Sequence, residues 1–312
     1  MTKKDKRTPS LKRSIYFFRA DIGADDGGRP LSFDPRPALD VIGQLPFEDG
    51  QGRYLVNDDG NAIVVWPEVS ERAIGLRFCQ IRRTGLPQLE EAGQITDLEL
   101  AASAGLCEPM HVVFFSDNIV GIEYNHFGPR LSRLGYYLRV KSRNAVPMVH
   151  FQPLLRGDVA GQLDRLAEIK LLALRVRPSY QDTLRQADQS LGDAFAANAQ
   201  VLDDPEDVEL VLRAGKDGRR SALERLLAPL KQLARRSDLR ENAARFEVKG
   251  KRDDTNRVAT IDLLKDQLIV QRQIVKLGER SRALDSSSAF EAIHSAHDEL
   301  GDALRQAASV DG

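Results

Sequence analysis

The chain has little cysteine, little tryptophan and no long apolar run. Two cysteines among 312 residues, Cys79 and Cys107, exclude a disulfide framework and a cysteine-rich zinc site. No apolar stretch approaches the ~18 residues that a membrane-spanning helix needs, so no membrane insertion is expected. The opening MTKKDKRTPSLKR is basic without an apolar segment behind it, unlike a secretory signal. The expected compartment is therefore the cytoplasm. There is no G-x-x-x-x-G-K-[ST] phosphate loop, no H-E-x-x-H pair and no G-x-S-x-G elbow around any serine. With five histidines and no such elbow, the sequence assigns no serine–histidine–acid set. Cofactors are expected to be none.

What is present is an ordinary globular composition, 42% hydrophobic and 29% charged, long enough for two domains. Residues 1–13 read as a basic flexible tail, and 14–143 as a β-rich domain. Strand-like composition marks Ile15 to Phe18, residues 73–82, Met110 to Phe115 and Ile119 to Tyr124. Asn57-Asp58-Asp59-Gly60-Asn61 marks a hairpin. Asp34-Pro35 opens a short helix to about Gln44, and Arg130 to Lys141 has helical spacing. Residues 144–312 read as an α/β-to-helical domain, with strands near 149–151, 171–176, 208–212 and 246–249. Helices are expected at 158–168, 179–200, 221–233 and from Ser287, with 268–275 ambiguous. Pro229 should kink or split its helix. The fold class is α+β, a β-rich half with hairpins followed by alternating strands and helices.

A net charge of −1 hides an asymmetry. Residues 213–257 hold fourteen basic and seven acidic side chains, a balance of +7, which leaves −8 for everything else. The tail carries +5, so the remaining body stands at −13. One basic segment on an acidic body can focus positive potential on a polyanion. The phosphate-gripping candidates are Lys216, Arg219, Arg220, Arg235, Arg236, Lys249, Lys251 and Arg252. Aromatic side chains are not interleaved among them, so backbone contact rather than base stacking is expected. Gly215 to Ser221 is an ordinary tight turn that can also present backbone N–H groups to a phosphate.

Three smaller patterns carry chemistry. Glu247-Val248-Lys249 has the E-x-K form in which a carboxylate binds a divalent cation and a lysine positions water. It needs a second acid, and neither Asp238 nor Asp253 and Asp254 is placed to supply one, so nuclease chemistry is the alternative rather than the leading reading. Glu291, His294, His297 and Asp298 share a helical stretch, but an exposed polar face is the expected outcome and no metal site is assigned. Cys79 and Cys107 read as packing residues. Asn125, His126 and Arg130, in the polar turn after Tyr124, are the ligand candidates, with a cap-and-turn role expected for Asn125.

The stretch Phe114-Phe115-Ser116-Asp117-Asn118-Ile119-Val120-Gly121-Ile122-Glu123-Tyr124-Asn125, running into Gly128-Pro129-Arg130, resembles segments of uncharacterised bacterial proteins encoded in phage-defence or mobile loci. The resemblance implies a bacterial cytoplasmic origin and a defence role, and brings no catalytic residue with it. The expected function is a non-enzymatic nucleic-acid-binding or sensing protein. A metal-dependent nuclease at Glu247 and Lys249, or a protein-interaction subunit or homodimer, is the alternative.

Overall fold

A computed structural model describes residues 9–69, 74–101, 103–155, 163, 165–201, 205–214, 224–252, 258–264 and 267–309. The fold is α+β with a strand-rich N-terminal half. Two compact units divide the chain, one of residues 1–151 with 269–304, the other of 152–268 with 305–311. The first unit is discontinuous, because the chain returns to it after building the second.

In chain order the first unit contains β1 (Ser10–Asp21), α1 (Arg36–Gln44), β2 (Leu55–Val56), β3 (Ala62–Val69), β4 (Ile74–Arg82), β5 (Gln88–Glu91), β6 (Gln94–Asp97), β7 (Leu106–Phe114), β8 (Ile119–Glu123) and α2 (Ser132–Lys141). The second unit follows β9 (His150–Pro153), which straddles the division. It has β10 (Leu166–Val176), α3 (Gln181–Ala187), α4 (Gln189–Ala199), β11 (Val208–Arg213), α5 (Leu227–Ala234), α6 (Ser237–Asn242), β12 (Arg245–Arg252) and β13 (Val258–Asp262). β14 (Ile269–Val275) and α7 (Ser286–Ser309) complete the chain.

Unit 1 is built on the sheet β14-β1-β8-β7-β4-β3-β2, with β9 also pairing β1. Strand alternation divides its side chains. Leu76, Phe78, Met110, Val112, Val120 and Ile122 face one way, into a core shared with Leu39 and Ile42 of α1 and Leu134, Tyr137 and Leu138 of α2. The other face carries α7. Gly75 and Gly121 allow that helix close to the strands, since a Cβ at Gly75 would stand 3.0 Å from Phe290 and one at Gly121 2.6 Å from Ile293.

Several expectations change at this resolution of detail. β1 begins at Ser10, within the stretch read as tail, because Ser10 to Tyr16 pair in register with Val275 to Ile269 of a strand some 250 residues away. Residues 166–168 are strand rather than the end of a helix, while 156–162 lie outside the described residues. The helix expected over 179–200 breaks at Asp188, whose side chain caps α4 by accepting from the Leu191 N–H. The helix expected around Pro229 is in two pieces, a 3-10 turn over Glu224–Leu226 and then α5, with Pro229 in the first turn of α5, where its missing N–H has no intrahelical partner to lose. Of the ambiguous stretch 268–275, Ile269–Val275 resolves as β14. The β5–β6 hairpin was not anticipated; its residues are exposed and its composition is polar.

Unit 2 is a four-stranded antiparallel sheet, β11-β10-β12-β13. Leu172, Leu174, Leu210, Phe246, Val248 and Ile261 pack one face against Leu184, Phe195, Leu230 and Leu233 of the helices.

Candidate functional sites

The described part of the basic segment does not share one surface. Lys216, Arg219 and Arg220, with the whole Gly215 to Ser221 turn, lie outside the described residues, as do Asp253 and Asp254. Arg235 and Arg236 sit between α5 and α6, in the chain leading into the start of β12. Arg236 is held in two hydrogen bonds by Asp238, at 3.1 and 2.9 Å, which raises the pKa of the guanidinium. Arg240 is buried and donates to the carbonyls of Ala234 and Leu264, a packing role. Arg225 donates to Ser190 Oγ.

Lys249 and Lys251 lie instead on the sheet face turned away from the helices. Arg252, one position further along β12, projects by alternation to the opposite face. The register puts Arg213 of β11 and Lys249 of β12 on either side of Leu171, and Lys251 opposite Glu168. Glu168 and Lys251 approach only to 3.9 Å. Among the described residues at this end of the outer face, three bases stand against one acid. The other end is compensated and acidic: Arg175 pairs with Asp207, and Arg245 with Glu209 and Glu247, at 2.8 Å each. Charge is therefore sorted along one sheet face, and the excess of cations sits where β11 and β12 finish.

The same register answers the question left by Glu247-Val248-Lys249. Asp262 of β13 is the direct cross-strand partner of Glu247, so a second carboxylate lies beside the first on the face that also carries Lys249. The acid lies neither upstream nor in the following turn but on the following strand. Glu247 Oε2 accepts two hydrogen bonds from Arg245, however, and Asp262 Oδ1 accepts from the Leu264 N–H. Among the described residues no group of three side chains is disposed to hold a metal ion.

The turn after Tyr124 in unit 1 does not gather its three candidates. Asn125 is buried; its amide donates to the Pro109 carbonyl (2.9 Å) and to Glu108 Oε2 (3.3 Å), and its Oδ1 accepts from the Phe127 N–H (3.2 Å). Arg130 donates to the Tyr124 hydroxyl at 3.0 Å, a neutral partner rather than an acid. His126 is exposed, edge-on to Phe127. Only Asn125 reaches the cavity beside this turn, a space of about 220 Å³ also lined by Arg13, Cys107, Glu108, His111 and Arg282.

Under that cavity runs a chain of polar contacts that sequence inspection missed. Arg13 Nε lies 3.0 Å from Glu123 Oε1, Glu123 Oε2 lies 3.2 Å from His111 Nδ1, and His111 Nε2 lies 3.1 Å from Ser286 Oγ. Glu123 and His111 are essentially inaccessible. These residues come from three strands and a helix up to 273 positions apart in the sequence. The only local signal was a carboxylate and a histidine inside otherwise apolar strands.

The cysteines divide in role. Cys79 is buried among Ala62, Val64 and Ile81, whereas Cys107 is exposed and forms part of the cavity wall, which corrects its reading as a packing residue. The Cys79 thiol hydrogen-bonds to Cys107, pushing the Cys79 pKa up, with burial adding to the effect, and drawing that of Cys107 down. His294 and His297 are also not on an exposed polar face. His297 stacks on Phe115 with centroids 3.8 Å apart, and His294 meets the same ring edge-on at 5.3 Å.

Among the described residues no helix is long and apolar enough to cross a membrane. No protein-family model matches the chain, and no curated protein matches it in sequence, so the reading of these sites rests on their own geometry.

Proposed function

We propose that unit 2 makes the protein a nucleic-acid-binding or sensing module, by a non-enzymatic grip on the phosphate backbone at the basic end of its sheet. The observation that carries this reading is the placement of Arg213, Lys249 and Lys251 together on one outward sheet face, with the ion pairs gathered at its other end. Phosphate contacts position a duplex or strand without reading its sequence. The resemblance of residues 114–130 to proteins of phage-defence loci is the ground for placing this activity in a bacterial defence system.

Gel shifts at two salt concentrations, with and without magnesium, test the proposal. Binding should be indifferent to sequence and weaken steeply as salt rises, because each neutralised phosphate releases counterions. Lys249→Glu with Lys251→Glu should lower affinity at least about tenfold at low salt. Arg235→Glu with Arg236→Glu should do less, since Arg236 already serves Asp238. Salt-independent binding, or no shift at low salt, overturns the reading.

The Glu247–Asp262 pair beside Lys249 favours one second reading, magnesium-dependent cleavage. The magnesium lanes decide it: nicking that Lys249→Ala abolishes in a folded protein would install the nuclease.

A further inference from the structure

Glu123, His111 and Ser286 stand in the order that nucleophilic catalysis requires. One imidazole nitrogen meets a buried carboxylate and the other meets a serine hydroxyl, at 3.2 and 3.1 Å. A carboxylate on Nδ1 fixes the tautomer with its proton there, leaving Nε2 to accept from the hydroxyl. Arg13 Nε lies 3.0 Å from the other Glu123 oxygen, and the Phe290 ring meets the imidazole edge-on at 5.3 Å. Ser286 is the first residue of α7 and remains partly accessible, unlike the two residues behind it. Asp285 occupies the Ser288 and Ala289 N–H groups, through its side chain and its carbonyl respectively. The two preceding amides of the first turn, on Ser286 and Ser287, have no intrahelical acceptor.

We propose that Ser286 is a nucleophile for acyl transfer, acting on small carboxylic esters. In the first step Ser286 Oγ bonds to the acyl carbon as its proton passes to His111 Nε2. The ester C–O bond then breaks, and His111 returns that proton to the departing alcohol. Water, activated by His111, attacks the acyl-serine, releases the carboxylic acid and restores the hydroxyl. Glu123 acts as a positioning residue; Ser286 lies outside the wall of the 220 Å³ cavity that His111 lines and is itself half-buried, which restricts approach to small groups. Nothing in this inference depends on nucleic-acid binding by unit 2.

The test is labelling of the full-length protein with a fluorophosphonate probe, read by intact mass and peptide mapping, alongside hydrolysis of p-nitrophenyl acetate. One adduct on Ser286 is expected. Ser286→Ala, which removes one partly exposed oxygen and should fold, should lose it entirely. Glu123→Gln should slow labelling by at least about a hundredfold, the scale of general-base assistance. The wild-type rate should rise with pH, since only the unprotonated imidazole can accept the serine proton, a profile that a purely structural hydrogen bond would not produce. No labelling of the folded wild type overturns the proposal, as does labelling that survives Ser286→Ala or shows no pH dependence. If Glu123→Gln fails to fold, the Ser286→Ala and pH arms still decide.

Discussion

Two sheets in this molecule use charge in opposite ways. In unit 1 the face under α7 encloses Arg13, Glu123 and His111, each with a specific partner and little or no contact with water. In unit 2 the outward face carries Arg175, Arg245, Glu209 and Glu247, all with a quarter or more of the side chain accessible. The residue types are similar, and Glu123 and His111, like the unit 2 charges, alternate with apolar neighbours along a strand. What differs is the covering element. A helix laid on a face turns every charge there into a group that must be partnered, because desolvation of a lone ion costs several kcal/mol. A face left to solvent screens its charges and gains little from pairing them. Partnered buried charges suit chemistry at fixed geometry, and screened surface charges suit adaptable contact with a polyanion.

The sharpest way to break that contrast is to remove one carboxylate from each face. Glu123→Ala strands Arg13 and His111 beneath α7 and should destabilise the protein by about 3–5 kcal/mol. Glu209→Ala removes a comparable ion pair from the open face and should change stability by about 0–1 kcal/mol. Urea unfolding of the two variants measures both, and equal losses would show that burial does not govern these pairs.

Next in size comes Asn125, which closes the turn beside the cavity with hydrogen bonds through both ends of its amide. Its removal leaves the Pro109 carbonyl and the Phe127 N–H without these bonds. Asn125→Ala should therefore lower stability by about 1–3 kcal/mol, reported as a fall in melting temperature. An unchanged melting temperature would deny Asn125 its structural role and return the turn to consideration as a ligand site.

What was legible in the sequence follows the range of the interactions involved. The hairpin at Asn57 to Asn61 was readable because its turn chemistry is local: the Asn57 N–H bonds the Asn61 carbonyl, and Gly60 supplies a φ of +79°. The strands at 74–82 and 119–123 announced themselves by period and composition. Asn125 was readable as a turn residue for the same reason. The pairing of β1 with β14 was not, because nothing near Ser10 encodes a partner at Val275. Likewise Asp262 could not be matched to Glu247 without the register of β12 on β13. The Ser286–His111–Glu123 set lacks any motif, since its geometry comes from packing α7 across three strands. The basic segment was visible as a charge excess, but composition cannot say that Arg236 serves Asp238 and Arg240 serves two carbonyls while Lys249 and Lys251 share an outward face.

The smallest expected effect concerns a histidine between these extremes, partly covered and partly wet. Burial against the sheet lowers the pKa of His294 below its ordinary value; neighbouring His297 pushes the same way, and Asp298 opposes them. The native state therefore disfavours the protonated ring, whereas the unfolded chain takes up a proton near ~6.5. Between those two values the unfolded state binds more protons, so stability rises with pH across that interval. The contribution of His294 is fully present above the unfolded value and is lost as pH falls through the window toward the folded one. Melting temperatures at about pH 7.5 and about pH 5.5 should show a decline on acidification, over a range where ordinary carboxylates are still largely ionised. His294→Gln cannot take up the proton and should show a shallower decline, even if its melting temperature at the higher pH is slightly lower. Parallel declines in the two proteins would mean that His294 titrates alike in both states and that the ring of Phe115 gives it no effective cover.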